Sequence, residues 1–226
     1  MTSPSSATIG VLLSGGLDSS ILLGHLLGQG HRVRPFYVRT GVVWQNEELR
    51  AVKRFLRAVR SPQLQALVLL DLPLADLYHD HWSMTGRQTP DRASPDESVF
   101  LPGRNTLLLV KPAVWCQLHG IEQLALGVLG SNPFADATPQ FFADLQAALD
   151  CGSGSRLRVV RPLACCAKRQ VMELGRGLPL GLTFSCIAPV GGLHCGACNK
   201  CGERHAAFRL IGADDPTKYA APLTAT

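Results

Sequence analysis

The chain has 226 residues, of which 46% are hydrophobic and 17% are charged, and its formal net charge at pH 7 is +5. This length fits one large domain, or one domain with a small annex. The composition allows a sizeable core and argues against disorder. The mild, diffuse positive charge suits anionic small molecules and does not by itself predict nucleic-acid binding.

Apolar stretches in the sequence are far shorter than a membrane span, so we expect no membrane association. Residues 1–6 lack the basic and apolar regions of a secretory signal peptide. We therefore expect a cytoplasmic protein. In that compartment the eight cysteines indicate metal binding or catalysis rather than disulfides.

A glycine-rich turn follows the first predicted strand, residues 7–13, and precedes a leucine-rich helix at residues 21–27. Its two glycines let the backbone turn sharply and approach a ligand closely. The helix that follows directs its unpaired N–H groups and positive dipole end at the turn. We predict a phosphate-type anion site here. Its residues are Leu13, Ser14, Gly15, Gly16, Leu17, Asp18, Ser19 and Ser20.

This turn is not a Walker A loop, because no Gly-Lys-Ser/Thr follows at the required spacing. It resembles the SGG-x-D-S pyrophosphate loop of the N-type ATP pyrophosphatases. Those enzymes cleave ATP between the α and β phosphates and activate an oxygen as its adenylate. The alternative is an ordinary turn that caps a core helix, with Asp18 or Ser19 as the N-cap.

Strands and helices alternate through the first part of the chain. A strand is predicted at residues 32–38, a helix at residues 45–59 and a strand at residues 64–70. The third strand is almost wholly apolar, so we place it in the centre of the sheet. The alternation predicts an α/β fold with a doubly wound parallel sheet. A ligand would then bind at the carboxyl ends of the strands, where the turn lies.

The second part of the chain is less regular. Residues 73–102 are polar and proline-punctuated, as is typical of an active-site loop or lid. A helix at residues 106–118 contains Pro112, which should kink or divide it. The remaining predicted elements are a strand at 123–129, a loop at 130–139, a helix at 140–149, a strand at 156–160 and a helix at 168–174.

Four cysteines near the end of the chain have the spacing of a metal site. They are Cys186, Cys195, Cys198 and Cys201, and the last three form C-x-x-C-x-x-C. Four thiolates leave no open coordination position, so we predict a structural zinc site. An iron–sulfur cluster and unrelated buried cysteines are the alternatives. We predict a main α/β domain at residues 1–182 and a zinc-binding region at residues 183–226 packed on it.

Together, the loop and the cysteines resemble the 7-cyano-7-deazaguanine synthase family over nearly the whole chain. The resemblance includes Phe-Leu-Pro-Gly-Arg-Asn at residues 100–105 and Pro-Leu at 162–163 followed by Lys168. It continues with Thr-Phe-Ser-Cys at 183–186, then the segment 194–201 and Arg204. Asparagine and argininosuccinate synthetases share the loop but lack this cysteine-rich end.

The resemblance implies an enzyme that converts a 7-carboxy-7-deazaguanine to the nitrile with ATP and ammonia, through adenylated intermediates. ATP, Mg²⁺ and Zn²⁺ are the implied cofactors. Asp18 would position Mg²⁺ or cap the helix, and Lys168 would stabilise phosphate charge unless it is a solvated helix residue. Arg104 and Asn105 would line the nucleotide or base pocket. No stable nucleic-acid partner is expected, and a homodimer is left open.

One loop departs from the family pattern. The family carries Asp…Tyr-Pro-Asp-Cys-Arg after the fourth strand, whereas residues 131–142 here lack the Cys-Arg pair. Asp136 could still accept hydrogen bonds from a guanine-like edge. Phe134, Phe141 or Phe142 could stack on a base. The resemblance therefore implies a carboxylate substrate without specifying which one.

Three other functions remain alternatives. The chain could amidate another carboxylate after adenylation. It could modify a tRNA base, with Cys165 or Cys166 as the nucleophile, although an aromatic content of 6% offers little stacking surface. It could also be a non-enzymatic zinc module that binds nucleic acid, which the SGGLDSS loop argues against.

Overall fold

The computed structural model of the chain describes residues 7–153 and 156–222. Residues 1–6, on which the signal-peptide interpretation depends, lie outside the described part, as do residues 223–226 of the predicted zinc-binding region. Among the helices of the described part, none combines the length and the apolar character that a bilayer crossing requires.

A five-stranded parallel sheet forms the centre of the fold. The strands are β1 (Thr8–Leu12), β2 (Arg32–Arg39), β3 (Val68–Asp71), β4 (Gln123–Leu126) and β5 (Arg158–Val160). Their spatial order is β3-β2-β1-β4-β5, and every neighbouring pair is parallel. The predicted α/β class with a doubly wound parallel sheet is confirmed.

Helices pack on both faces of this sheet. They are α1 (Leu17–Gly28), α2 (Gln45–Ala58), α3 (Ala75–Tyr78), α4 (Trp82–Thr85), α5 (Arg104–Leu118), α6 (Pro139–Ser153), α7 (Lys168–Leu174) and α8 (Asn199–Leu210). Leucines of α1 form one core with residues of α2, α7 and α8, whereas α5 and α6 cover the opposite face. A third cluster of buried residues surrounds the four C-terminal cysteines.

The strand order fixes where a ligand can bind. From β1 the chain winds outward through β2 and β3, and it then returns to the other side of β1 to form β4 and β5. The winding direction therefore reverses between β1 and β4. In open α/β sheets, ligands bind outside the carboxyl ends of the strands at such a reversal, and α1 begins at that point.

One sequence-based prediction is wrong. The third strand is not central: β3 lies at the edge of the five-stranded sheet, and among the described strands its partner is β2. The apolar residues before β3, including Leu64 and Leu67, pack against one core instead of extending the strand. Of the two effects predicted for Pro112, a kink or a division of the helix, division is excluded, because α5 continues from Arg104 to Leu118 with Pro112 buried inside it.

Candidate active site

A cavity of about 320 Å³ opens at the carboxyl ends of β1, β2 and β4. Its walls come from six parts of the chain: the glycine-rich loop, β2 with the start of α2, the stretch from α4 into α5, the loop after β4, the start of α7, and the C-terminal segment. Nearly all the predicted site residues outside the cysteine cluster line this cavity, namely Leu13, Ser14, Gly16, Leu17, Asp18, Ser19, Arg104, Asn105, Phe134, Asp136 and Lys168.

The glycine-rich loop presents backbone N–H groups to the cavity. Gly15 has φ +80°, and a Cβ at this position would lie 2.9 Å from Cγ2 of Val52, so a larger residue is excluded on both counts. Gly16 is the N-cap of α1, and no side chain caps the helix. Neither Asp18 nor Ser19 is therefore the N-cap. The first N–H groups of α1 remain available for an anion.

Other contacts hold the loop in this shape. Ser19 Oγ accepts a hydrogen bond from the Ser14 N–H at 3.2 Å and lies 3.1 Å from Ser14 Oγ. A Cβ at Gly127, just after β4, would lie 2.9 Å from the Ser19 nitrogen. Glycine at position 127 is thus required for β4 to approach the start of α1. Ser20 is fully buried, and its hydroxyl has no hydrogen-bond partner among the described residues.

Lys168 and Asp18, 150 positions apart in the sequence, meet inside the cavity. Lys168 Nζ lies 2.7 Å and 2.9 Å from the two carboxylate oxygens of Asp18. Both side chains are largely buried, with 23% and 28% exposure. Lys168 is therefore not a solvated helix residue. The pair places one cation and one carboxylate beside the loop. A lysine can stabilise phosphate charge, and a carboxylate can bind Mg²⁺.

Asp136 and Asn105 form the wall next to α5. The Asn105 backbone N–H donates to Asp136 Oδ2 at 2.9 Å, and Asn105 Nδ2 donates to the Asp136 carbonyl oxygen at 2.8 Å. Asp136 is buried, and it satisfies an N–H group in the first turn of α5. A carboxylate has about four acceptor positions, so capacity for further donors remains.

Of the three phenylalanines considered for base stacking, only Phe134 lines the cavity. Its ring lies 5.1 Å from that of Phe100, between centroids. Phe142 is buried beneath the guanidinium of Arg161, and Phe141 packs against the core formed with α5 and α6. The cavity therefore has an aromatic pair, Phe100 and Phe134, next to Asp136.

The four predicted metal ligands converge. All four sulfurs are buried and lie within 4.8 Å of one another. Three sulfur–sulfur distances are 3.9, 3.8 and 3.5 Å, close to the ~3.8 Å expected for tetrahedral sulfurs around zinc with Zn–S bonds of about 2.3 Å. The sulfurs are close to contact, which leaves no room for the inorganic core of an iron–sulfur cluster between them.

Backbone donors support charged sulfurs at this site. Cys186 Sγ accepts from the N–H groups of Ala188 and Cys195, and Cys195 Sγ accepts from those of Ala197 and Cys198, at 3.2–3.4 Å. Such donors around thiolates are typical of metal sites. The chemistry and spacing of the four residues therefore fit a single tetrahedral ion.

His194 adjoins the four cysteines in the sequence and could in principle bind the same metal, but its ring makes other contacts. Its Nε2 accepts the Ser185 N–H at 3.1 Å, and its ring lies 4.4 Å from that of Phe184. Burial, with the nearby Arg204 charge, lowers the pKa of His194 to about 4. A neutral imidazole is what the observed hydrogen bond needs, because only that form offers an acceptor nitrogen.

Sequence reasoning missed several residues of the cavity. Helix α8 begins inside the cysteine motif and brings Lys200, Glu203 and Arg204 to the cavity wall. On the other side, Tyr37 and Glu48 line it, together with the stacked indoles of Trp44 and Trp82. The helical spacing around residues 45–59 identified an amphipathic helix but did not indicate that Glu48 turns toward the cavity.

Comparisons with known proteins identify the family of this chain. The family model described as "Queuosine biosynthesis protein QueC" matches residues 8–212. A curated relative named 7-cyano-7-deazaguanine synthase 1, from Desulfitobacterium hafniense (strain Y51), is 31% identical over 205 residues, covering 88% of this chain and 90% of that protein. The 7-cyano-7-deazaguanine synthase of Xylella fastidiosa (strain M12) is 30% identical over 221 residues, covering 92% and 94%.

Among solved structures, a 4-thiouridine synthetase in complex with RNA and with bound ATP matches with a TM-score of 0.51 and 16% identity. The match covers 91% of this chain and 50% of that one. At this level of identity the likeness concerns the fold, and it agrees with the parallel sheet described above.

Proposed function

Because the chain belongs to the queuosine biosynthesis protein QueC family, we propose that it is a 7-cyano-7-deazaguanine synthase that uses ATP. In the proposed reaction, the carboxylate of 7-carboxy-7-deazaguanine attacks the α phosphate of ATP and pyrophosphate leaves. Ammonia displaces AMP to give the amide. The amide oxygen attacks a second ATP, and loss of that oxygen as AMP leaves the nitrile.

A single observation carries this proposal: a glycine-rich loop with an uncapped helix start, a lysine–aspartate pair and a pair of aromatic rings share one cavity. The N–H groups at the start of α1 would hold the pyrophosphate leaving group. Lys168 would move from Asp18 to the phosphates, and Asp18 would then be free to hold Mg²⁺. Arg104 would add positive charge where α5 enters the cavity.

We propose that Asp136 and Phe134 hold the deazaguanine. Phe134, paired with Phe100, offers a face for stacking at the cavity wall. Asp136 would use its remaining lone pairs to accept from N1–H and the exocyclic amine of a guanine-like edge. Asn105, which already donates to Asp136 from two nitrogens, would fix the orientation of the carboxylate.

The ion we propose for the cysteine cluster is zinc, held by Cys186, Cys195, Cys198 and Cys201. Four thiolates saturate a tetrahedral ion, so zinc here would stabilise the fold and take no part in the reaction. We assign residues 183–226 to this zinc-binding region and residues 1–182 to the ATP-binding domain. All residues given a role in the proposed reaction lie in one chain. Light scattering would test whether two chains form a homodimer.

The direct test is to incubate the protein with ATP, ammonium and 7-carboxy-7-deazaguanine and to identify the product by mass spectrometry. We expect the nitrile, and no product when ATP is left out. Accumulation of the amide alone would favour an amidating enzyme, which is the alternative that the divergent loop at residues 131–142 supports. Pyrophosphate release that does not depend on the carboxylate would contradict both.

A further inference from the structure

Glu48 is an acidic residue of the cavity that the roles above do not use. It lies in the first turns of α2 and lines the cavity together with Ser14 and Asp18. It also packs directly against the glycine-rich loop, since a Cβ at Gly15 would lie 3.3 Å from Glu48 Cγ. Glu48 is therefore beside the place where the proposed adenylate forms.

The carboxylate of Glu48 differs from the other acids that line the cavity. Asp18 is paired with Lys168, Glu203 with Lys200, and Asp136 accepts two hydrogen bonds from Asn105. Glu48 makes no ion pair with any residue in the described ranges, and it accepts a hydrogen bond from the neutral hydroxyl of Tyr37 at 2.7 Å. It can therefore receive a small cation.

Tyr37 suits both protonation states of Glu48. Its hydroxyl oxygen lies 2.7 Å from Glu48 Oε2 and 3.3 Å from the carbonyl oxygen of Gln45. The single hydroxyl hydrogen points to one acceptor at a time. With Glu48 ionised, Tyr37 donates to it; with Glu48 protonated, Tyr37 accepts from it and donates to Gln45. The Tyr37 hydroxyl therefore has an acceptor, and Glu48 has a hydrogen-bond partner, in both states.

The surroundings also set the acidity of the pair. Burial raises the pKa of Glu48 to about 7. Hydrogen bonds from Tyr37 and Trp44 and the positive charge of Arg104 on α5 act in the opposite direction and lower it. Burial and the neighbouring Glu48 raise the pKa of the Tyr37 hydroxyl far above its ordinary value, so Tyr37 keeps its proton. A base works best when its pKa is near the operating pH.

We propose that Glu48 binds the ammonium ion and removes one proton from it, which releases ammonia beside the adenylated carboxyl. The inference rests on the proposed function, because ammonia is the nucleophile in that reaction. One N–H bond of ammonium breaks and one O–H bond forms on Glu48. Ammonia then attacks the acyl carbon, AMP leaves, and the protons released from the new amide nitrogen and from Glu48 pass to water.

The test compares two nitrogen nucleophiles in wild type and Glu48→Gln. Ammonium must lose a proton before it attacks, whereas hydroxylamine is largely unprotonated at neutral pH and forms the hydroxamate without a base. We expect kcat/KM for ammonium to fall by about 100-fold or more in Glu48→Gln, as for the loss of a general base. We expect kcat/KM for hydroxylamine, and the rate of carboxylate-dependent pyrophosphate release in the first turnover, to stay within about threefold of wild type.

Glu47→Gln is the matched control. Glu47 neighbours Glu48 on the same helix but pairs with Arg50 and does not line the cavity. Both nucleophiles should react with this variant at wild-type rates. If Glu48→Gln loses activity toward hydroxylamine as much as toward ammonium, Glu48 serves adenylation or folding and the proposal is wrong. If Glu48→Gln instead binds the carboxylate substrate more weakly in a titration, Glu48 hydrogen-bonds the substrate, which also overturns the proposal.

A pH profile gives an independent readout. With Glu48 as the base, kcat/KM for total ammonia should rise through about pH 7 and then level off, because only ionised Glu48 accepts the proton. In Glu48→Gln it should keep rising about tenfold per pH unit through pH 8, in step with free ammonia. Identical profiles would contradict the proposal. If wild type releases no pyrophosphate with the carboxylate, the proposed function itself has failed.

Discussion

The glycine-rich loop and the C-terminal cysteine segment both line the cavity, but they contribute different groups to it. The loop presents backbone N–H groups and the Asp18 carboxylate, and its Ser14 and Ser19 side chains hold its own shape. The cysteine segment presents charged side chains on α8, a helix that begins directly after its third cysteine. The Phe184 N–H, which donates to the Gly15 carbonyl oxygen at 2.7 Å, joins the two regions.

The difference shows how each region depends on the rest of the chain. The loop needs glycine at a few positions and a helix start, which are local properties of the sequence. The α8 side chains reach the cavity from a helix whose start lies within the cluster of four cysteines. Metal binding by such clusters supplies folding free energy, so the two regions should respond to substitution in different ways.

The largest expected effect is on the cysteine side. Cys198→Ser should lower the free energy of unfolding by several kcal/mol and reduce the zinc content, because three thiolates hold the ion poorly. Thermal unfolding and metal analysis of the purified variant check this. Cys151→Ser is the control, since Cys151 is exposed and belongs to no cluster among the described residues. Iron as the bound metal, or a folded wild type without metal, would contradict the assignment.

On the loop side, substitution should remove activity and leave stability nearly unchanged. Asp18→Ala and Ser14→Ala should each lower AMP formation by about 10³-fold or more, since positioned electrostatic groups contribute on this scale. Asp144→Ala on α6, which removes an exposed aspartate outside the cavity, is the control. Wild-type AMP formation in either loop variant would remove the loop from ATP turnover.

Arg204 allows a test of the cysteine segment that leaves all four sulfurs in place. It is 1% exposed and donates to Thr217 Oγ1, Thr183 Oγ1 and the Leu180 carbonyl oxygen. Arg204→Leu should destabilise the fold by about 2–4 kcal/mol, because these buried acceptors lose their donors. Denaturant unfolding measures it, and metal content should stay at one ion per chain. An unchanged free energy of unfolding would show that the Arg204 hydrogen bonds do not stabilise the fold.

The smallest effect should come from the loop after β4. Asp136→Asn should weaken binding of the carboxylate substrate by roughly ten- to several-hundred-fold, since one guanine-edge donor would face an amide NH₂, at a cost of ~1–3 kcal/mol. Affinity for an ATP analogue should persist. Titration with each ligand separates the two, and equal affinity for the acid in both proteins would remove Asp136 from the substrate site.

Local signals explain what could be predicted from the sequence. The loop, the parallel sheet and the four convergent cysteines depend on spacing and periodicity, and each was found where expected. The Asp18–Lys168 pair depends on the starts of α1 and α7 meeting across 150 positions, so the sequence predicted its residues but not their contact. Glu48, Tyr37 and Arg204 were missed as cavity residues because no local pattern tells which face of a helix or strand meets a ligand.

The misplaced strand has a physical reason too. An apolar run is the usual mark of a central strand, but in β3 Leu69 and Asp71 are exposed. Leu64 and Leu67, which precede it, instead fill a gap in the core beside α1 and α2. The apolar run therefore overstated burial as well as sheet position, since residues 64–70 are only partly buried or exposed at the edge of the sheet.

The central claim is that the glycine-rich loop binds ATP so that an oxygen of the substrate is adenylated. The most direct measurement uses 7-carboxy-7-deazaguanine labelled with ¹⁸O in both carboxylate oxygens and follows the label by mass spectrometry. We expect each labelled oxygen to leave on AMP, one for each ATP consumed, and pyrophosphate to stay unlabelled. Label in inorganic phosphate, with ADP as the other product, would contradict it.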